Sequence, residues 1–263
     1  MSKEYAISGL HGFIGGNIAH HLENSGNTIT YMGRDRFYDP KVSVFIDAGS
    51  YGNMFDQKDI SEIYRANTWR VIENILTHED SDYDAYICFS SGAVSLPKKT
   101  FYTLSKIAIE QFVDLYTTEN KKPVVTVRPY SITGVGEQVS HLIPKLIESC
   151  FLGTRMPFVA SPVHDFLDID DFVKAIDVVE ANARLHPGHV FSVGSGIQYS
   201  NKDVLDIVED VTGRKANVEY VENLRPYDSK EWQADVSLMQ SLGWTSQKTL
   251  KQSIIEMVEA YGS

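Results

Sequence analysis

At 263 residues, with 43% hydrophobic and 22% charged positions, the chain has the composition of a globular protein that buries about three quarters of its unfolded surface, in one large domain or two small ones. Twenty-four Lys and Arg against 35 Asp and Glu leave a net charge of −11, which argues against a protein that tracks nucleic-acid phosphates. Cys88 and Cys150 stand in no metal-ligand or disulfide-framework spacing, so such a scaffold or a structural metal is not expected, and a reducing cytoplasm is.

Met1-Ser2-Lys3-Glu4 leads straight into the first apolar run, without an apolar stretch of signal-peptide length. No uninterrupted apolar run approaches membrane-spanning length, so no membrane segment is expected. Residues 5–8 read as a strand, Ile14, Ile18, Ala19 and Leu22 as one face of a helix, and residues 28–32 as a second strand. Further strands are expected at 42–46, 85–89, 124–127 and 190–193, with helices at 60–77, 101–117 and 170–183 between them. Beyond Ser200 the pattern turns mostly helical, at 204–212 and 249–261, with a short strand at 218–221. The alternation predicts an α/β fold: a Rossmann-type doubly wound parallel sheet with a smaller, interleaved α/β substrate lobe. The expected division is 1–132 for the dinucleotide-binding part, with about 159–196 returning to it, and 133–158 and 197–263 for the lobe.

Between the first strand and first helix lies Gly9-Leu10-His11-Gly12-Phe13-Ile14-Gly15-Gly16. A pyrophosphate at a helix N-terminus needs backbone N–H groups aimed at it and no Cβ in the way, and glycines at this spacing supply both. A plain tight turn would need some of the same glycines, but the position between strand and amphipathic helix favours the dinucleotide. The second strand ends Tyr31-Met32-Gly33-Arg34-Asp35-Arg36. Gly33 stands where an acid would accept from the ribose 2′-hydroxyl of NAD, and Arg34 follows, so NADP is favoured, with NAD possible through Asp35.

Tyr102 and Lys106 open a helix four residues apart and share one face. A cation near a phenol favours the phenolate, lowering its pKa toward neutrality. The apolar positions Leu104, Ile107, Ala108, Phe112 and Leu115 are expected to form that helix's core stripe. Upstream, Cys88-Phe89-Ser90-Ser91 ends a buried strand in two hydroxyls, either of which can reach a reacting oxygen. His186 and His189 frame the Pro187-Gly188 turn and are not read as metal ligands.

Together these motifs resemble the extended short-chain dehydrogenase/reductase family, within it the NAD(P)-dependent nucleotide-sugar epimerase/dehydratase/reductase group. The resemblance runs through nearly the whole chain: Gly9-x-x-Gly12-Phe13-Ile14-Gly15, Asn67, Ser90-Ser91, Tyr102-x-x-x-Lys106, Arg128-Pro129, Leu142-Ile143-Pro144, Asp165 to Asp171, Phe191 to Gly196 and Leu242-Gly243-Trp244. It implies Ser91, Tyr102 and Lys106 as catalytic residues. Cofactor contacts are implied for Gly9, Gly12, Phe13, Ile14, Gly15, Arg34, Ala48, Gly49, Asn67, Tyr102, Lys106 and Pro129. Substrate contacts are implied for Ser91, Ser131, His164 and Arg225, whose guanidinium fork suits a diphosphate. A homodimer is implied as well.

The chain also departs from the family. Gly92-Ala93 replace the acidic pair that dehydratases carry after the catalytic hydroxyl, which argues against dehydration. Only eight residues, Arg34 to Lys41, stand where a helix and a third strand usually intervene. The expected function is reduction or epimerisation of a nucleotide-diphosphate sugar at C4, with the ketoreductase favoured. The alternatives are an NAD-dependent 4-epimerase, a reductase of a non-sugar carbonyl, and a non-catalytic NADP-sensing protein.

Overall fold

The computed structural model describes residues 2–33, 37–53, 57–222 and 229–262. In chain order the elements are β1 (Glu4–Ser8), α1 (Phe13–Asn24), β2 (Thr28–Tyr31), β3 (Val44–Asp47), α2 (Ile60–Tyr64), α3 (Arg70–Thr77), β4 (Ala85–Phe89), α4 (Phe101–Asn120), β5 (Val124–Pro129), β6 (Ser131–Thr133) and α5 (Leu142–Leu152). They continue with β7 (Met156–Phe158), β8 (Val163–Asp168), α6 (Ile169–Asn182), β9 (Val190–Val193), β10 (Gln198–Ser200), α7 (Asn201–Thr212), β11 (Val218–Tyr220), α8 (Ser237–Ser241) and α9 (Leu250–Gly262).

The chain divides into two compact units. The first comprises Met1–Val94, Lys99–Pro129 and Val173–Val193. It holds a six-stranded parallel sheet in the order β2-β1-β3-β4-β5-β9, the doubly wound arrangement expected from the alternation of strands and helices. Every residue of β3 and β4 is buried, because a central parallel strand is covered on both faces. On one side Phe45 and Tyr86 stack at 5.2 Å and pack with Val71, Ile75, Ile109 and Val113.

The second unit comprises Ser95–Lys98, Tyr130–Phe172 and Gly194–Ser263. Its sheets are β10-β8-β6 and β11-β7, and its core joins α5, α7 and α9 through Leu146, Ile147, Val204, Leu205, Val208 and Ile254. Residues 159–172, which the sequence assigns to the dinucleotide part, belong here, since β8 pairs with β6 and β10; only 173–193 returns to the first unit. Strands β6, β7 and β10 escape sequence reading because three residues are too few to display alternation. The expected helix 60–77 is present but interrupted by a π-helical turn at Arg65–Trp69. Among the described residues no helix is long and apolar enough to cross a membrane.

Candidate active site

The glycine turn, Ser50, Asn67, Ser91, Tyr102 and Lys106 all lie in the first unit. The backbone leaves β1 through Gly9, whose φ of 73° is unfavourable for residues with a Cβ, and enters α1 at Gly12. A Cβ on Gly9 would come within 2.9 Å of Gly49 Cα, and one on Gly15 would overlap the Gly9 carbonyl, 2.7 Å from its carbon. No side chain caps α1 and its first turn carries no acid, so its leading N–H groups are left to an anion. The donor set therefore fits the pyrophosphate of a dinucleotide. Gly15→Ala is expected to weaken dinucleotide binding at least about tenfold, measured by calorimetric titration, because the turn must open to admit the methyl group.

Arg34 lies outside the described residues, as does Arg225. Gly33 ends the described part of β2's exit and offers no carboxylate.

Helix α4 begins where Thr100 and Thr103 cap one another, Thr103 N–H to Thr100 Oγ1 at 3.2 Å and Thr100 N–H to Thr103 Oγ1 at 2.8 Å. That fixes Tyr102 in the first turn and Lys106 one turn on. The hydroxyls of Ser91, at the exit of β4, and Ser50, after β3, lie close enough to the Tyr102 phenol to favour its ionised form. Burial raises its pKa above the ordinary value, and the two hydroxyls pull it back only in part.

Lys106 is fully buried and donates to the Phe89 carbonyl at 2.8 Å, with Nζ 5.7 Å from the Tyr102 ring centroid. Burial pushes it down to about 8, against the supporting charge of Asp47. The sequence expectation that Lys106 depresses the phenol is thus corrected. The ammonium places one of its three N–H donors on a backbone carbonyl, and burial is the largest influence on the phenol.

Asn67, expected as a cofactor contact, is completely buried in the π-helical turn. Its amide donates to Tyr51 O at 2.7 Å and Ser105 Oγ at 3.1 Å, and accepts from Ser50 Oγ at 3.1 Å and Tyr51 N–H at 3.0 Å. With all four positions used inside the protein, it ties the Ser50-Tyr51 loop to α4. Ser50, which sequence reading missed, is thereby tied to Asn67 and held near Tyr102.

The core stripe expected on α4 is also corrected. Leu104 and Leu115 are 42% and 61% exposed, while Ser105, Lys106, Ile109, Val113 and Tyr116 face inward. Ala48 and Gly49 follow β3, and Pro129 ends β5. In the second unit Ser131 and His164 come together, Oγ to Nδ1 at 3.4 Å, and the His164 ring lies 5.0 Å from that of Trp232.

Residues 89–194 match the model of the NAD dependent epimerase/dehydratase family. Among curated proteins, the low-salt glycan biosynthesis protein Agl12 of Haloferax volcanii is 24% identical over 198 residues, 69% of this chain and 63% of its own. The dTDP-D-glucose 4,6-dehydratase of Bos taurus is 26% identical over 178 residues, 61% of this chain and 47% of its own, so the chain spans about half to two thirds of such relatives. Among solved structures, MoeE5 in complex with UDP-glucuronic acid and NAD superposes with a TM-score of 0.87 at 20% identity, covering 98% of this chain and 99% of that one. The UDP-glucose 4-epimerase of Thermotoga maritima with UDP-glucose gives 0.88 at 14% identity, covering 98% of both. These likenesses confirm the fold.

Proposed function

The chain belongs to the NAD dependent epimerase/dehydratase family through its residues 89–194, and on that premise we propose that it is an oxidoreductase of nucleotide-diphosphate sugars acting at C4, preferring NADP and working as a 4-ketoreductase. The observation that carries the reading is the Tyr102 phenol, with the Ser91 and Ser50 hydroxyls near it and its ring 5.7 Å from the buried Lys106 ammonium. Once bound, the nicotinamide supplies the hydride. Tyr102 supplies the proton that the C4 oxygen takes up on reduction, and its elevated pKa keeps it in the donor form at neutral pH. Ser91 donates a hydrogen bond to the same oxygen, and Lys106 orients the ribose beside the phenol. NADP preference is supported by Gly33, which removes the acceptor an NAD ribose uses, and by Arg34.

In the second unit, Ser131, His164 and Arg225 are assigned to the substrate. An NAD-dependent 4-epimerase is the second reading, favoured by the fold shared with UDP-glucose 4-epimerases. A homodimer is supported by apolar side chains left exposed near and on α4: Trp69 at 63%, Phe101 at 51% and Leu115 at 61%. The cytoplasm is the proposed location, in keeping with two free, buried thiols.

The test is incubation with NADPH and a panel of 4-keto-6-deoxy nucleotide sugars. Consumption of NADPH with one of them supports the ketoreductase. Interconversion of 4-hydroxyl sugars on catalytic NAD alone supports the epimerase, and turnover of no nucleotide sugar overturns both.

A further inference from the structure

Strand β3 is apolar until its last residue, Asp47, which is 1% exposed. Its Oδ1 accepts from Ser8 Oγ at 2.6 Å and Arg70 Nη2 at 2.5 Å, and Tyr86 OH lies 3.4 Å from Oδ2. Arg70, the first residue of α3, is 8% exposed, also donates to Gly49 O at 3.2 Å, and leaves its Nε buried without a partner. An ion pair so enclosed is a poor source of stability, because removing both charges from water offsets most of their attraction.

The pair lies beside the candidate catalytic lysine. Asp47 pairs in register with Cys88 on the neighbouring strand, roughly 4.8 Å away, and Lys106 caps the carbonyl of the next residue, Phe89. The groups facing the ammonium are Asp47 from β3, Arg70 from α3, Cys88 from β4 and, on its own helix, Tyr102.

We propose that Asp47 and Arg70 are positioning residues for Lys106: a fixed anion and a fixed cation, locked to each other behind the ammonium, that set the field in which it works beside Tyr102. The proposal rests on the reading of Lys106 as the catalytic lysine. The two members act with opposite sign. Asp47 favours the charged lysine and Arg70 opposes it, the carboxylate having the larger influence. Because burial, the largest influence, leaves Lys106 at about 8, either change moves its titration within the range where an enzyme of this kind operates.

The test is direct titration of Lys106 by NMR in protein labelled at the lysine side chains, the signal being identified by its loss in Lys106→Met. Asp47→Asn is expected to lower the midpoint by about one pH unit, and Arg70→Met to raise it by about one unit. Should a single variant fail to fold, the double variant Asp47→Leu/Arg70→Met removes both charges in favour of apolar groups, and its midpoint is expected below that of the unaltered protein. Unchanged midpoints in the folded variants, or shifts of one sign in both singles, would overturn the proposal, since loosened packing alone moves both the same way. The readout needs no substrate. Opposed shifts in a protein that turns over no nucleotide sugar would retire the catalytic reading of Lys106 while leaving the charge arrangement established.

Discussion

Tyr102→Phe is expected to reduce kcat by about 10²- to 10⁴-fold while leaving dinucleotide affinity within about twofold, the range that loss of a positioned proton donor produces. The substitution removes one oxygen and keeps the ring, so α4 and its Thr100–Thr103 cap are undisturbed. What disappears is the hydroxyl that lies beside those of Ser91 and Ser50. Rapid-mixing measurement of the hydride step, alongside fluorescence titration of NADPH, separates the two quantities. Lys106→Met should behave differently and weaken binding together with turnover, because the assigned role of Lys106 includes the ribose. Full turnover in Tyr102→Phe would remove the tyrosine from the mechanism.

Asp165→Ala is expected to cost about 3 to 5 kcal/mol in unfolding free energy, read from the shift in denaturant midpoint at constant slope. Asp165, in β8, is completely buried and accepts from Ser195 N–H at 2.7 Å, Ser195 Oγ at 2.7 Å, Gly196 N–H at 3.0 Å and Ala234 N–H at 2.9 Å. Burial still holds its pKa above the ordinary carboxylate value, so these donors only partly offset the burial penalty. Alanine would strand three backbone N–H groups in the interior of the second unit, each costing about 1 to 3 kcal/mol. The space around Asp165 is tight as well, since a Cβ on Gly194 would stand 2.8 Å from Oδ2. Asp165→Asn should fall between the two, because an amide nitrogen turned toward any of these donors cannot accept. A loss below about 1 kcal/mol in the alanine variant would mean that water replaces the carboxylate, contrary to its complete burial.

The parallel sheet was legible because its central strands are apolar throughout, and β4 and β9 fall on the boundaries their apolar runs predict. Tyr102 and Lys106 were legible because four-residue spacing is a property of the helix itself. The burial of α4 was not. A lysine that must sit beneath a phenol occupies the inward face with Ser105, which breaks the apolar pattern there and leaves Leu104 and Leu115 outward. Ser50 was hidden for another reason: its approach to Tyr102 depends on the loop after β3 folding onto Asn67, a contact seventeen residues apart that no periodicity encodes.

The π-helical turn at Arg65–Trp69 carries one more residue than an α-helical turn, and each residue of an α-helix advances about 100° around the axis. The surplus residue therefore acts as a phase shifter within one continuous helical run. The turn itself serves the loop beside Tyr102, through Asn67; downstream of it the winding serves the charges behind Lys106, through Arg70. Two partners of the active site are thus addressed by a single rod, one from the surplus turn and one from the segment that follows it, so the register of that rod is a shared coordinate for both halves of the proton-handling pair.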